Sequence, residues 1–224
     1  MSPVRARTTV TTLCLAASLS ACGGAAQRAG QPGVQPVGNA AVAVPFAGSA
    51  TTAPNPADVE FMSGMIPHHA QAVLIAGWAA THTTSPDVGV LAQRIVVGQR
   101  DEIALMQTWL KDRGQLVPAA DATHHRMVMN GRQHDMLMPG MLSEEELARL
   151  NAARGIAFDR LFLIYMMRHH EGAVSMVDAL FNAHGAAQDE VVFRFASDVY
   201  ADQTTEINRM ETMLKARPAP PAAP

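Results

Sequence analysis

The 224-residue sequence contains two cysteines, and we expect neither to remain as a free thiol in the mature protein. Cys14 lies in an N-terminal segment typical of a signal peptide, and Cys22 lies at a predicted lipidation site. A disulfide bond is therefore excluded for the exported chain, and so is a metal site built on thiolate.

The sequence also lacks a strongly basic charge balance and the motifs of several enzyme classes. Its formal net charge is −3 at pH 7, so the basic surface that binds nucleic acid is not indicated. We find no phosphate-binding glycine loop, no HExxH zinc motif and no pairing of a nucleophile with a base. We therefore expect neither a nucleic-acid-binding protein nor an enzyme.

Residues 1–21 predict a bacterial signal peptide. Arg5 and Arg7 give it a basic start, and the apolar run at 10–19 is too short to remain as a membrane span. Leu19-Ser20-Ala21-Cys22 resembles a lipobox, in which cleavage precedes the cysteine and lipid is attached to its sulfur. We expect an exported lipoprotein, anchored to the membrane through Cys22, with its domain in the periplasm or at the cell surface. An ordinary signal peptide is the alternative.

Composition divides the remainder into a tether, one domain and a tail. Residues 22–55 are rich in Gly, Ala, Pro and Gln and predict a flexible tether, and residues 217–224 predict a disordered tail. Between them, apolar residues recur at helical spacing while alternating β-branched residues are scarce. Residues 56–216 therefore predict one all-α domain.

An internal duplication runs through that domain. Asp, Phe, Met, His, His, Ala and Val recur at one fixed offset, and a second segment further along recurs as well. The matching segments are 58–73 with 159–174, and 99–110 with 203–214. The duplication predicts two helical hairpins, 56–113 and 155–216, joined by a long connector at 114–154.

Helical phase predicts which side chains of each repeat face the core. The second histidine of each pair, His69 and His170, falls in the apolar stripe, whereas the first of each pair falls at its edge. Gly64, Pro67 and Gln71 fall on the opposite side of the first helix. We therefore expect the second histidine of each pair to be the inward one.

Two pairs of acidic residues share the inward phase. Glu102 and Glu206 lie on the helices that partner the histidine helices. A carboxylate on an apolar face is costly unless it is paired, so we expect these two to contact the inward histidines or their metal. Asp58 and Asp159 lie in a first helical turn, where an acid favours the helix dipole, and we interpret them as structural.

The duplicated frame carries side chains that bind soft metal ions. Thioether sulfur favours Cu(I), and imidazole accepts Cu(I), Cu(II) and Zn(II). Both survive in an oxidising compartment, where thiols form disulfides. The predicted metal ligands are Met65, His68, His69, Met166, His169 and His170. Further ligands or supporting residues are predicted at Met62, Glu102, Glu206, His134, Met136, Met138 and Met141.

The connector is dense in methionine and histidine between residues 124 and 141. Methionine at this density, in a segment with Gly and Pro, is hard to explain as core filler alone. Two interpretations stay open: an additional soft-metal segment, and a hydrophobic strap that lies across the bundle.

These motifs resemble the domain-of-unknown-function family 305. The resemblance rests on Met65-Ile66-Pro67-His68-His69, on the second motif from Phe162 to Val174, and on Met138-Pro139-Gly140-Met141, and it covers about residues 56–214. It implies a ferritin-like four-helix bundle, frequent export and, in some members, copper binding and protection against copper. It implies ligands at Met65, His68, His69, Met166, His169 and His170. The repeat is not exact, because Leu163 occupies the position in the second motif that Met62 occupies in the first.

A ferritin-like bundle also suggests an iron or manganese oxidase. Such sites take a Glu-x-x-His motif from two helices, but Met65 and Met166 occupy the glutamate positions here. A non-catalytic helical interaction module with buried histidines is the other alternative. The prediction is therefore a non-enzymatic protein that binds copper, with silver as a mimic, for tolerance, storage or delivery. Iron, manganese and zinc are less favoured, and a copper-handling protein or a second copy is the expected protein partner.

Overall fold

The computed structural model describes residues 53–129 and 132–217, without the side chains of residues 125–135. The predicted signal peptide, Cys22, most of the tether and the tail from residue 218 lie outside the described residues, and so does the side chain of His134. In the part that is described, no helix is both long enough and apolar enough to cross a membrane.

Apart from one short β-hairpin, the regular secondary structure of the described residues is helical. In chain order the elements are α1 (Pro56–Gly77), α2 (Ala79–His82), α3 (Pro86–Asp112), β1 (His125–Met129), β2 (Arg132–Met136), α4 (Glu144–Ala152), α5 (Gly155–Asn182) and α6 (Glu190–Lys215). The long helices α1, α3, α5 and α6 pack as a helical bundle, which confirms the predicted fold class. The antiparallel hairpin of β1 and β2 lies in the connector and was not expected from the sequence.

Capping residues mark the start of α1, in the first hairpin, and of α4, in the connector. Asn55 caps α1, where its side-chain oxygen accepts a hydrogen bond from the N–H of Ala57 at 2.9 Å, and Pro56 follows at the first helical position. Ser143 and Glu146 form the reciprocal capping box of α4. The starts of α1 and α4 could therefore be predicted from the sequence, because a cap is a local interaction.

One aspartate from each hairpin accepts hydrogen bonds from the turn that joins the two long helices of the other hairpin. Asp58, in the first turn of α1, accepts a hydrogen bond from the N–H of Ala187 between α5 and α6, at 2.7 Å. Asp159, in the matching turn of α5, accepts hydrogen bonds from the hydroxyls of Thr83 and Ser85, just before α3. The start of each helix thus lies beside the end of the other, so α1 and α5 are antiparallel. The structural role predicted for both aspartates is confirmed.

Buried apolar side chains form two clusters, one toward each end of the bundle. The cluster with Phe61, Met65 and Trp109 unites the start of α1 with the end of α3 and the start of α6. The cluster with Phe158 and Met166 unites the end of α1 with the start of α5 and the end of α6. On α5 the histidine pair falls between the two clusters, and on α1 it falls close to their boundary, near the middle of the bundle.

Residues 138–142, which we call the strap, lie across the middle of α1. The amide of Gln71 donates to the carbonyl of Leu142 at 3.0 Å, and its oxygen accepts from the N–H of Leu142 at 2.7 Å. The connector therefore crosses the bundle, as one of the two interpretations requires. Gly64, Pro67 and Gln71 were predicted to face outward, and that prediction is wrong, because all three are buried. Met138 of the strap lies against Gly64, and Leu142 binds Gln71.

The same strap packs backbone to backbone against α5. Gly140 has a φ of +79°, a conformation that favours glycine. A Cβ on Gly140 would lie 2.4 Å from the carbonyl oxygen of Arg168, and a Cβ on Gly172 would lie 1.9 Å from that of Pro139. Only glycine at both positions permits this approach.

An ion pair continues the attachment just beyond the strap. The two terminal guanidinium nitrogens of Arg168 on α5 donate to the carboxylate of Glu146 on α4, at 2.6 and 2.7 Å. These hydrogen bonds lower the pKa of Glu146 to about 2. The strap and α4 are therefore held on α1 and α5 by polar contacts on both sides.

Candidate metal centre

Both histidines of each pair are completely buried. The exposed fraction is 0% for His68, His69, His169 and His170. The prediction that His68 and His169 lie at the edge of an apolar face is therefore wrong, because α1 and α5 cover that edge for each other. The ring centroids of His68 and His169 are 3.9 Å apart, so the two motifs meet where α1 crosses α5, as expected for a connector that crosses the bundle.

The second histidine of each pair faces a carboxylate of its own hairpin. The Nε2–H of His170 donates to Glu206 at 2.7 Å. His69 Nε2 lies 2.9 Å from Glu102 Oε2, but without the direction of a hydrogen bond. Both contacts expected from helical phase are present. Both carboxylates keep about a quarter of their surface exposed, so they lie between the buried rings and solvent.

The first histidines of the two pairs have different surroundings. His68 Nε2 lies 3.0 Å from the carbonyl oxygen of Pro139, and since a carbonyl can only accept, the ring must donate an N–H. His169 has no hydrogen-bond partner at either nitrogen among the described residues. The strap therefore binds the first histidine of one repeat and not that of the other.

Several buried ring nitrogens have no partner within the described residues. They include Nδ1 of all four histidines. An unpaired buried polar atom costs about 1–3 kcal/mol, so the arrangement is unfavourable unless something else satisfies it. A metal-bound imidazole usually donates its other N–H to a carboxylate or carbonyl, and three of the four rings place Nε2 against such a group. The donor set therefore fits a metal ion approached through Nδ1.

Burial keeps the crossing histidines uncharged. It lowers the pKa of His68 to about 3, with the neighbouring His69 adding to the effect. Burial also lowers the pKa of His169 well below its usual range, with the other three histidines contributing. Neutral imidazole is the form that binds metal, so both rings are available as ligands at neutral pH.

The predicted methionine ligands lie in three settings. Met62, Met65 and Met166 are fully buried, and Met65 and Met166 each precede their histidine pair by one turn. Met141 is buried in the strap, where its sulfur accepts from the N–H of Met138 at 3.2 Å, while Met136 is 43% exposed. Met138 is half-buried and rests its terminal methyl on Gly64, one turn before His68.

The described residues hold no group of three or more His, Cys, Asp or Glu side chains that could hold one ion. Two of the imidazoles and one of the carboxylates come from each hairpin. The thioether sulfurs of Met65 and Met166 are further possible donors, one helical turn before each histidine pair.

The structure adds polar groups near the centre to which the sequence analysis assigned no role. Gln99 and Gln203, one turn before the two glutamates, are buried with unpaired side-chain oxygens. Asp202 has a raised pKa, caused first by burial and then by the charges of Glu102 and Glu206, so each glutamate lies near Asp202. Gln99 and Gln203 occupy matching positions of the duplicated segments, whereas Asp202 lies outside them and carried no signal.

The carbonyl of Pro139 was also missed, because a backbone atom leaves no trace in composition or phase. The nearest signal was the pair of glycines, Gly140 and Gly172, that allow its approach. A glycine inside a helix beside a histidine motif indicates a close backbone contact.

Comparison with known proteins agrees with this architecture. Residues 58–214 match the family described as Domain of unknown function (DUF305). A DUF305 protein of Streptomyces coelicolor, described as secreted, has a TM-score of 0.60 and 28% identity, covering 71% of this chain and 92% of that one. CopM in its Cu(I)-bound form has a TM-score of 0.54 and 26% identity, covering 70% of this chain and 95% of that one. CopM is also known in Cu(II)-bound and silver-bound forms.

One curated relative matches a shorter segment. The uncharacterized protein L153 of Acanthamoeba polyphaga mimivirus is 36% identical over 56 residues, or 25% of this chain. The match spans 37% of that protein's length, so it bears on one segment alone.

Proposed function

This chain belongs to the DUF305 family, and we propose that it is an exported protein that binds copper. The observation that carries the proposal is the crossing of α1 and α5, where four fully buried imidazoles meet with unpaired nitrogens. The similarity to CopM, which binds Cu(I), Cu(II) and silver, supports the same class of ion.

The proposed ligands are the methionine and the two histidines of each repeat. They are Met65, His68 and His69 on α1, and Met166, His169 and His170 on α5. Thioether sulfur with neutral imidazole favours Cu(I), and silver is its chemical mimic. Glu102 and Glu206 act through the rings, as acceptors for His69 and His170, and the ion itself is the cargo of the protein.

The biological role that fits this site is copper tolerance, storage or delivery, without catalysis. We propose that the mature protein is held at the membrane by lipid on Cys22, with the bundle in the periplasm or at the cell surface. A copper-handling protein, or a second copy of this chain, is its partner in transfer. Cys22→Ser should release the protein from the membrane fraction and abolish labelling by a fatty-acid probe, and retained labelling would contradict the anchor.

A competition titration with a chromogenic Cu(I) chelator tests the ligand set. Met65→Leu with Met166→Leu nearly preserves volume and should cost under about 1.5 kcal/mol of stability each. Cu(I) affinity should nevertheless fall, while Cu(II) affinity, which depends on imidazole, should fall less. Replacing His69 and His170 should weaken binding of both ions.

Met213→Leu is the matched control, because this buried methionine on α6 lies outside both histidine turns. It should leave both affinities unchanged. Unchanged Cu(I) affinity in the Met65 and Met166 double variant would show that those methionines are core residues and not copper ligands.

An iron or manganese site is the second candidate, and the contacts of Glu102 with His69 and of Glu206 with His170 favour it. Metal analysis of protein from copper-supplemented and iron-supplemented cultures separates the two. Copper in the first and no iron in the second supports our proposal. Iron in the second would support the oxidase, and no metal in either would support an interaction module.

A further inference from the structure

The carbonyl oxygen of Pro139, in the strap, accepts a hydrogen bond from a histidine of the candidate metal centre. We propose that this carbonyl is a positioning group, which holds His68 with its proton on Nε2 so that His68 binds metal through Nδ1. The metal part of this inference rests on the proposed function, whereas the placement of the proton does not.

The geometry at His68 permits one assignment of the proton. The ring is fully buried, and Nε2 lies 3.0 Å from a carbonyl oxygen, which can only accept. A neutral imidazole ring carries one proton, on one of its two nitrogens. With that proton on Nε2, the lone pair is on Nδ1, which has no partner among the described residues.

Contacts on two sides hold the carbonyl in place. On one side, Gly140 and Gly172 bring the strap so close to α5 that a Cβ on Gly172 would lie 1.9 Å from the Pro139 oxygen and 2.4 Å from its carbon. On the other side, Gln71 makes two hydrogen bonds to Leu142. The acceptor is therefore set by the packing of main chain, and it is not free to rotate as a side chain would be.

The other histidines show what this carbonyl replaces. Glu206 accepts from Nε2 of His170, and Glu102 lies beside Nε2 of His69. His68 has no carboxylate in that place, and the strap supplies a backbone oxygen there. The strap therefore gives His68 the same free nitrogen, Nδ1, that Glu206 gives to His170.

Gly172→Ala tests the inference directly, because the new methyl group would occupy the place of the Pro139 oxygen. That neighbour is backbone, so the strap has to move and the hydrogen bond to His68 is lost. We expect nitrogen NMR of the metal-free wild type to show His68 protonated at Nε2 and unprotonated at Nδ1. In Gly172→Ala the two tautomers should mix, and copper affinity should fall about 10–100-fold.

Two other glycines give matched controls. A Cβ on Gly98, in α3, would meet nothing within 4 Å, so Gly98→Ala should change neither the spectrum nor the affinity. A Cβ on Gly64 would meet only the methyl of Met138 at 2.8 Å and other flexible atoms. That side chain can move, so Gly64→Ala should keep the His68 tautomer.

A second variant covers the case in which Gly172→Ala does not fold. Gln71→Met removes both hydrogen bonds to Leu142 and leaves α5 unchanged. It should also mix the tautomers of His68 and weaken copper binding. Wild-type protein with His68 protonated at Nδ1 would overturn the inference, and so would a wild-type spectrum in both strap variants. A wild type that binds no copper would instead refute the proposed function, whatever its spectrum.

Discussion

The two repeats share a sequence motif, but the surroundings of their histidines differ. In the first repeat the strap binds His68, and His69 lies beside Glu102 without a directed hydrogen bond. In the second, His169 has no partner in the described part of the chain, and His170 donates to Glu206 at 2.7 Å. The duplicated sequence therefore does not produce a duplicated site, because one strap serves two hairpins.

The strap also explains where the two motifs diverge. Gln71 matches Gly172 in the repeat, and Pro67 matches Arg168. Gln71 binds the strap, Gly172 lets it approach, and Arg168 pairs with Glu146 just beyond it. Since these positions face a single element from two sides, each repeat has its own residues there.

The largest expected effect comes from giving the second repeat the residue of the first. In Gly172→Gln the longer side chain would have to occupy the place of the Pro139 carbonyl. We expect a loss of about 3 kcal/mol in the free energy of unfolding, at the upper end of overpacking effects. Urea denaturation measures it. Gly98→Gln at the exposed face of α3 is the control, and an equal loss in both would show that the strap contact is unimportant.

Acid should destabilise the metal-free protein through the buried histidines. The pKa of His68 is about 3 in the folded protein and near 6.5 in the unfolded chain, so the unfolded chain binds more protons between these values. The contribution of neutral His68 to the free energy of unfolding is therefore complete above pH 6.5 and is lost as the pH drops. The loss from this group alone is about 2 kcal/mol at pH 5. Urea denaturation at pH 7, 6 and 5 checks this. His68→Asn should reduce the slope, and an unchanged slope would contradict the assignment.

The two glutamates should differ in their support for metal binding. Loss of an outer acceptor costs about 10–100-fold in metal affinity, and His170 has the better-directed partner. We expect Glu206→Gln to weaken copper binding more than Glu102→Gln, with helix content unchanged in circular dichroism. Equal effects would mean that the difference in hydrogen-bond direction has no consequence, and two null effects would make both acids structural.

The smallest effect is expected where the repeat breaks inside the core. Leu163→Met restores the residue found at the matching Met62, and both positions are fully buried. Because volume is nearly conserved, the change in unfolding free energy should stay under about 1.5 kcal/mol, against about 2–5 for Leu163→Ala. We expect Cu(I) affinity to stay unchanged. Tighter Cu(I) binding in Leu163→Met would identify Met62 as a ligand in the first repeat.

Much of the fold followed from the sequence because its signals are local or periodic. Asn55, Pro56 and the Ser143–Glu146 capping box mark helix starts through contacts within one turn. The duplication predicted two hairpins. Helical phase predicted that Glu102 and Glu206 face the inward histidines, and the structure shows both contacts. Phase failed for His68 and His169, because it assumes one buried stripe, and the middle of each helix packs against several elements.

The sequence by itself determined the helices, the pairing of each hairpin and the residue types that a soft metal ion prefers, since these depend on spacing along one chain. Only the tertiary structure decided that the two histidine motifs meet and that the strap covers α1. It also decided that His68, rather than His169, donates a hydrogen bond to the connector. These features depend on contacts between segments distant in sequence, such as Gly140 with Gly172, where the fit of main chain against main chain selects the arrangement.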